Sequence, residues 1–332
     1  MIVTVTLNPS LDRSIEVGKL VVGDVNRATS AHLDPGGKGV NVSRALLANG
    51  VASRAVVPCG GDEGGQLIRL LVAEGVDVRA VPIAGNTRSN ITLTEPDGTT
   101  TKINEPGPQL SPAEFSAVID QALTAAGSDG PGDAGPGAGD SGVVVACGSA
   151  PPGLPTEAFG EFCRRVLLAG LGLVVDTSGP ALRAAARAGA TLVKLYRDEL
   201  AEVVGQPLLA LRDVIDAAQE LRSWGAGAVL ASLGADGAVL VDASGVVAGE
   251  APVERPRSSV GAGDALLAGF IAAGGAEPHD GNGQRALAEA LAWGAAAVSL
   301  PGSRMPGPAD LRRDDVRIHT HPDGVRPLLA SS

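Results

Sequence analysis

A chain of 332 residues, 44% of them hydrophobic, can bury a substantial core as one large α/β domain or two smaller ones. Its formal net charge of −11 argues against a nucleic-acid or anionic-membrane surface as partner. No apolar run reaches the roughly 18 residues of a membrane span, and no basic segment precedes the apolar start Met1-Ile2-Val3, so a cytoplasmic location without membrane contact is expected.

In chain order, residues 2–7 read as a strand, and Asn8-Pro9-Ser10-Leu11-Asp12 follows it. Asp12 therefore sits near the carboxyl end of a strand, where ligands gather in α/β sheets. Residues 14–33 are rich in Thr, Val and polar side chains, as are residues 88–104, which contain the turn Glu95-Pro96-Asp97-Gly98. Both read as hairpin strands outside the main sheet, together forming a lid. Between them, Asp34-Pro35-Gly36-Gly37-Lys38-Gly39-Val40-Asn41 places a glycine cluster at the mouth of a helix, with donors arranged for a polyol or phosphate. It is no Walker A loop, because Gly39 follows the lysine. The plainer alternative is that the glycines only permit tight packing and Lys38 is solvated.

Short β-branched runs recur at 55–57, 143–147, 173–176, 191–195, 228–232 and 238–242, with Ala/Leu/Arg/Glu-rich helical segments at 66–74, 156–169, 180–188 and 214–224. Strands alternating with helices predict a mainly parallel sheet covered on both faces. Residues 125–142 are almost all Ala, Gly, Ser, Asp and Pro and read as a flexible surface loop inside one domain. The tail 319–332 carries little information. Cys59, Cys147 and Cys163 lack C-x-x-C spacing and read as reduced thiols, and the four histidines form no zinc motif.

Gly261-Ala262-Gly263-Asp264 followed by Ala265-Leu266-Leu267-Ala268-Gly269-Phe270 is a glycine turn feeding a helix with a carboxylate at its mouth. Backbone N–H groups there can close round an anion, the helix N-terminus adds partial positive charge, and Asp264 can take a proton from an attacking hydroxyl. The alternative is a simple helix cap. The same four letters at Gly137-Ala138-Gly139-Asp140 run into a strand and are rejected as a site. Ser149, in Cys147-Gly148-Ser149-Ala150-Pro151-Pro152-Gly153, follows a core strand and can reach a ligand, whereas Ser232-Leu233-Gly234-Ala235-Asp236-Gly237 reads as a hairpin whose backbone can approach a nucleotide.

From residue 1 to about 310 the chain resembles the PfkB (ribokinase-like) family of carbohydrate kinases, in its 1-phosphofructokinase and tagatose-6-phosphate kinase branch. The likeness rests on Thr6-Leu7-Asn8-Pro9-Ser10-Leu11-Asp12, residues 34–45, Thr101-Lys102-Ile103-Asn104-Glu105-Pro106-Gly107-Pro108, Gly148-Ser149-Ala150-Pro151-Pro152-Gly153, residues 232–237 and Ser259-Val260-Gly261-Ala262-Gly263-Asp264. It implies a three-layer, doubly wound, mainly parallel α/β domain over 1–318 with a small β lid. It also implies Asp264 as catalytic base with the N–H groups of Gly261, Ala262 and Gly263 on the transferred phosphoryl group. Asp12, Gly37, Lys38, Asn41 and Ser149 match sugar-side positions, and Arg27 and Arg88 are candidates for the substrate's own phosphate. Lys194, Ser232, Gly234 and Gly237 match the ATP side, Glu199 the Mg²⁺ position acting through water, and the helix near 286–299 the adenine.

Two positions depart from the family pattern. Tyr196 stands where an asparagine tied to magnesium handling is usual, and Ala265 replaces a serine common after the catalytic aspartate. The resemblance implies ATP- and Mg²⁺-dependent phosphorylation of the C6 hydroxyl of D-fructose 1-phosphate, with a homodimer through the lid strands. Tagatose 6-phosphate, fructose 6-phosphate or a non-catalytic sugar-phosphate sensor are the alternatives.

Overall fold

The computed structural model describes residues 1–127, 142–276 and 282–329. Most of the 125–142 tract, with its second Gly-Ala-Gly-Asp, lies outside the described residues. Its first three residues instead complete a helix, in which Ala125 and Ala126 are buried against the core.

The strands are β1 (Ile2–Thr6), β2 (Ser10–Val17), β3 (Ala28–Gly36), β4 (Ser53–Cys59), β5 (Asp77–Pro82), β6 (Arg88–Thr94), β7 (Thr100–Asn104), β8 (Val143–Cys147), β9 (Gly172–Asp176), β10 (Leu192–Tyr196), β11 (Ala228–Ser232), β12 (Ala238–Asp242), β13 (Gly245–Glu250) and β14 (Arg317–His319). The helices are α1 (Lys38–Ala48), α2 (Gly61–Glu74), α3 (Pro112–Gly127), α4 (Thr156–Leu168), α5 (Gly179–Ala188), α6 (Arg197–Val204), α7 (Leu211–Ser223), α8 (Ala262–Ala272) and α9 (Gly283–Val298).

Ten strands form the main sheet in the order β14-β13-β12-β11-β10-β9-β8-β1-β4-β5. From β5 to β11 every neighbour is parallel, and β11 to β14 close the edge antiparallel. The central strands are apolar along both faces, as a sheet covered on both sides requires: β8 is buried at all five positions. One cover packs Phe115, Phe159, Phe162 and Leu221 beneath α3 to α7. The opposite cover packs Leu46, Leu267, Phe270 and Trp293 beneath α1, α8 and α9. The expected three-layer parallel architecture is thus the observed one.

Four strands in the order β3-β2-β6-β7 form the separate lid. Its strands reach further than residues 14–33 suggested: β2 begins at Ser10 and β3 runs to Gly36, so Asp12 is on the sheet, opposite Asp34 on one side and Asn90 on the other. Gly37, at φ 119°, then turns the chain directly from the lid into α1. A side chain there would meet Thr6 and Pro9, so only glycine makes this junction without strain.

Residues 324–329 are docked on the domain. Leu211 and Arg212 at the start of α7 donate backbone hydrogen bonds to Arg326 and Gly324, and Leu328 donates to Leu209. Arg326 reaches Glu250 and the carbonyl of Asp236, while the Leu329 N–H donates to the Asp236 carboxylate at 2.8 Å.

Helix α8 is buried from Gly263 to Ile271, which explains why it is apolar all round. It crosses α9 at Gly269, where an added Cβ would stand 2.8 Å from the Glu289 carbonyl and from the Trp293 ring. Gly269→Leu is expected to destabilise the fold by about 1–3 kcal/mol through overpacking. Denaturant titration checks it, and an unchanged midpoint would show that the helices can separate at that crossing.

Candidate functional site

The carboxyl ends of the parallel strands converge on the mouth of α8. Gly261, at φ 75°, caps the helix and Asp264 lies in its first turn. The first helical N–H groups have no partner within the helix, and that of Ala262 donates to the Ser259 carbonyl at 3.3 Å. Asp264 is 5% exposed and accepts a hydrogen bond from Asn41 Nδ2 at 2.9 Å. Burial and the nearby Asp176 charge push its carboxyl up to about 6, while Lys194, Asn41 and Lys38 act in the opposite direction. A carboxylate that is ionised at neutral pH yet close to its pKa suits a general base.

Beneath the turn, Asp176 at the end of β9 is fully buried and shared by two ammonium groups, with Lys38 Nζ at 2.6 Å from Oδ1 and Lys194 Nζ at 2.7 Å from Oδ2. Burial alone would raise the Asp176 pKa, but the two lysines hold it below the ordinary carboxylate value. Burial likewise opposes the charge of each lysine, and Asp176 overcomes it, so both ammonium groups titrate above their ordinary value. The ring of Tyr196 covers the pair, its centroid 3.7 Å from Lys194 Nζ and 5.2 Å from Lys38 Nζ.

These contacts define the surroundings of both lysines. Lys38 does not stand free for a sugar phosphate: it is paired with Asp176 and lies 3.6 Å from Glu199. Lys194 is 0% exposed, and its Nζ lies against the glycine turn, 2.9 Å from where a Cβ on Gly263 would stand. Asn41 acts on Asp264, orienting the carboxylate, while its own Oδ1 is buried without a protein partner.

Around the lid junction, Asp12 accepts from Ser10 Oγ at 2.6 Å and from Asn90 Nδ2 at 3.0 Å. Gly36 is packed so closely on Asp12 that any Cβ would collide with the carboxylate. Asn8 Nδ2 donates to Ser149 Oγ at 3.3 Å and to the Pro106 carbonyl. The oxygens Asn8 Oδ1 and Asn90 Oδ1 are buried with no protein partner, which marks polar capacity for a ligand or water. Arg88 spans this cluster, donating to the Glu105 and Asn8 carbonyls at 3.0 and 3.1 Å. Burial lowers its pKa against the pull of Asp12 and Glu105. Arg27 is exposed just before β3 and takes no part in these bonds. A cavity of about 1210 Å³ runs between lid and base, lined by Asp12, Asp34, His32, Lys102 and Arg257.

On the other flank, Ser232 is buried and donates to the Leu195 carbonyl at 3.3 Å, which holds β11 to β10. Gly237, at φ 91°, packs against the Gly249 carbonyl and is required by the hairpin. Gly234, at φ 62°, has open space where a Cβ would be and leaves its backbone approachable. Beside α9 a cavity of about 820 Å³ is lined by Val253, Arg255, Arg257, Ala292, Ala296 and Ser299. Its apolar floor of alanines and its size suit a planar base.

Among the described residues no group of three or more His, Cys, Asp or Glu forms a metal cage. Of the carboxylates near the turn, Asp176 is taken by lysines and Asp264 by Asn41. Glu199 accepts from the Tyr196 N–H at 2.8 Å through one oxygen and has the other beside Lys38. One partly exposed carboxylate fits a magnesium ion carried mainly by phosphate oxygens and water.

Asp176, Asn8, Asn90 and Ser10 were missed by sequence reasoning. Asp176 was within reach, since it ends a core strand on the ligand-bearing side. Asn90 was not, because only the β2–β6 pairing brings it to Asp12.

The profile of pfkB family carbohydrate kinases matches residues 5–310. The 1-phosphofructokinase of Bacillus subtilis (strain 168) is 34% identical over 272 residues, covering 82% of this chain and 85% of that one. Phosphofructokinase-2 from Escherichia coli in complex with substrates and products superposes with a TM-score of 0.83 at 32% identity, over 93% of this chain and 96% of that one. The same enzyme with fructose-6-phosphate gives 0.80 at 32% identity and the same coverage.

Asp264→Asn is expected to lower kcat by about 10²–10⁴-fold, the range for loss of a positioned base. In the unsubstituted protein kcat/KM should fall as pH drops through about 6. Asn41→Ala should move that acid limb upward, because it removes a hydrogen bond to the charged form. The folded protein binds its Asp264 proton more tightly than the unfolded chain, so the ionised carboxylate costs stability above pH 6. Asp264→Asn should therefore unfold no more easily at pH 7. Near-normal turnover, or an acid limb unmoved by Asn41→Ala, would remove Asp264 from the role of base.

Proposed function

The chain belongs to the pfkB family of carbohydrate kinases, and from that premise we propose that it transfers the terminal phosphoryl group of ATP to the C6 hydroxyl of D-fructose 1-phosphate, giving fructose 1,6-bisphosphate. The observation that carries this reading is the buried Asp264, poised near pH 6 at the head of a glycine turn. The names of the relatives support the sugar: 1-phosphofructokinases match over four fifths of the chain at about one-third identity.

In this reading Asp264 takes the proton of the attacking hydroxyl while Asn41 holds the carboxylate in line. The N–H groups of Gly261, Ala262 and Gly263 accept the charge that develops on the transferred group. Asp12, Asn90, Asn8 and Ser149 bind and orient sugar hydroxyls. Magnesium, with Glu199 as its protein contact through water, would neutralise phosphate charge when bound. The purine lies in the cavity between Val253 and α9. Closure of the lid over the cleft excludes water, and Gly37 couples the lid to α1 and so to Asn41.

The overall charge of −11 repels both anionic substrates, so the substrate's phosphate needs local cations. Arg88 and, from the lid, Arg27 are the candidates, Lys38 being committed to Asp176. Val21, Val22, Val25 and Ile103 are exposed on the lid and its loop, which supports pairing of lids between two copies. Among the described residues no helix is long and apolar enough to cross a membrane, and the three cysteines are free, which supports a cytoplasmic enzyme. Fructose 6-phosphate is the second reading, favoured by the structural match to a phosphofructokinase-2 holding that sugar.

ADP release measured over a panel of phosphosugars tests the proposal. The highest kcat/KM is expected for fructose 1-phosphate; a higher value for fructose 6-phosphate or tagatose 6-phosphate would overturn the substrate assignment, and sugar-phosphate binding without turnover would make the protein a sensor. Arg88→Ala is expected to lower kcat/KM for fructose 1-phosphate by about 10–100-fold, the loss of one charge-assisted contact, with little change in the KM for ATP. A loss confined to ATP would take Arg88 out of the sugar-phosphate site.

A further inference from the structure

Tyr196 ends β10 and occupies a position no other aromatic side chain in the site shares. Its ring lies on the Lys194 ammonium, and Lys194 is 0% exposed, so ring and Asp176 together cover that charge. The phenol oxygen reaches the glycine turn itself. A Cβ at Gly263 would collide with it and would stand 2.9 Å from Lys194 Nζ. Phenol, buried ammonium and backbone of the anion-binding turn therefore meet at one point, and what that point offers to a phosphate is the phenol and not the lysine.

The chemistry of the position is that of a donor. Lys194 favours the phenolate, but burial together with the Asp176 and Asp264 charges outweighs it, and the hydroxyl keeps its proton above the ordinary tyrosine range. Two ammonium groups near the ring, at 3.7 and 5.2 Å from its centroid, draw electron density from it, which strengthens O–H donation. A donor placed where charge develops is worth most in the transition state.

Resting on the kinase reading, we infer that Tyr196 is a further catalytic residue, its hydroxyl donating a hydrogen bond to the phosphoryl group in transfer while its ring keeps Lys194 out of contact. No bond to Tyr196 forms or breaks: the proton stays on the phenol.

Tyr196→Phe keeps the ring over Lys194 and removes only the hydroxyl. It is expected to lower kcat by about 10-fold, the scale of one charge-assisted donor, with the KM values for ATP and sugar within about twofold. Affinity for ADP with fluoroaluminate, in the presence of the phosphosugar, should fall by the same factor, while affinity for ADP alone stays unchanged; calorimetry reads both without turnover. Unchanged kcat and unchanged fluoroaluminate affinity would overturn the inference. So would a gain in kcat or tighter ATP binding in Tyr196→Phe or Tyr196→Ala, because the side chain would then merely occupy the space a phosphate takes. If the unsubstituted protein prefers another phosphosugar, the substrate assignment fails and the same comparison is made with that sugar. If it turns over none, the slow transfer to water, read as ATP hydrolysis, reports on Tyr196. Absence of hydrolysis as well would overturn both readings.

Discussion

The site is organised around one buried carboxylate. Asp176 has no exposed surface and accepts from Lys38 at the head of α1 and from Lys194 near the end of β10. A lone buried charge of either sign would cost several kcal/mol. Here each ion is stable only because the other two are in place, so the three elements are held in one arrangement. Asp176 also sets the electrostatics above it: its negative charge raises Asp264, and the lysines restrain that rise. Two carboxylates in one pocket are thereby pushed apart, Asp176 held below the ordinary carboxylate value and Asp264 raised to about 6.

The acidic surface gives this inner arrangement its purpose. With a net charge of −11, nothing at long range draws phosphates inward, and specificity must come from groups that act at contact. The backbone N–H groups of the glycine turn carry partial positive charge that cannot be neutralised by a counterion or lost to pH. The two lysines beneath them, paired with Asp176, add positive potential to the same region. The ring of Tyr196 lies over both ammonium groups, 3.7 Å from Lys194 Nζ and 5.2 Å from Lys38 Nζ.

The lid and the nucleotide flank are tied to this centre by glycine junctions and by the last residues of the chain. Gly37 joins β3 directly to α1, the helix from which Asn41 donates to Asp264. On the opposite flank, Arg326 and Leu329 bind the carbonyl and carboxylate of Asp236, inside the turn that joins β11 to β12. The end of the chain thus braces the loop that contains Gly234.

Periodicity and local chemistry by themselves determined the alternation of strands and helices, hence the parallel covered sheet, and the order of motifs determined the family. The Gly-Ala-Gly-Asp turn was legible as a site because it joins a glycine turn to an apolar helix, and its copy at 137–140 was rejected because it runs into a strand. Residue 196 was legible only as an unusual letter. What the sequence left open were distances between side chains far apart in the chain. That Lys38 belongs to Asp176, that Asn41 serves Asp264 and that Asn90 completes the Asp12 cluster depend on the pairing of β2 with β6 and on β1, β8, β9 and β10 ending at one level. Local propensity carries no information about such contacts, because they arise only when packing brings strand ends together, and burial then decides which charges are free to meet a substrate.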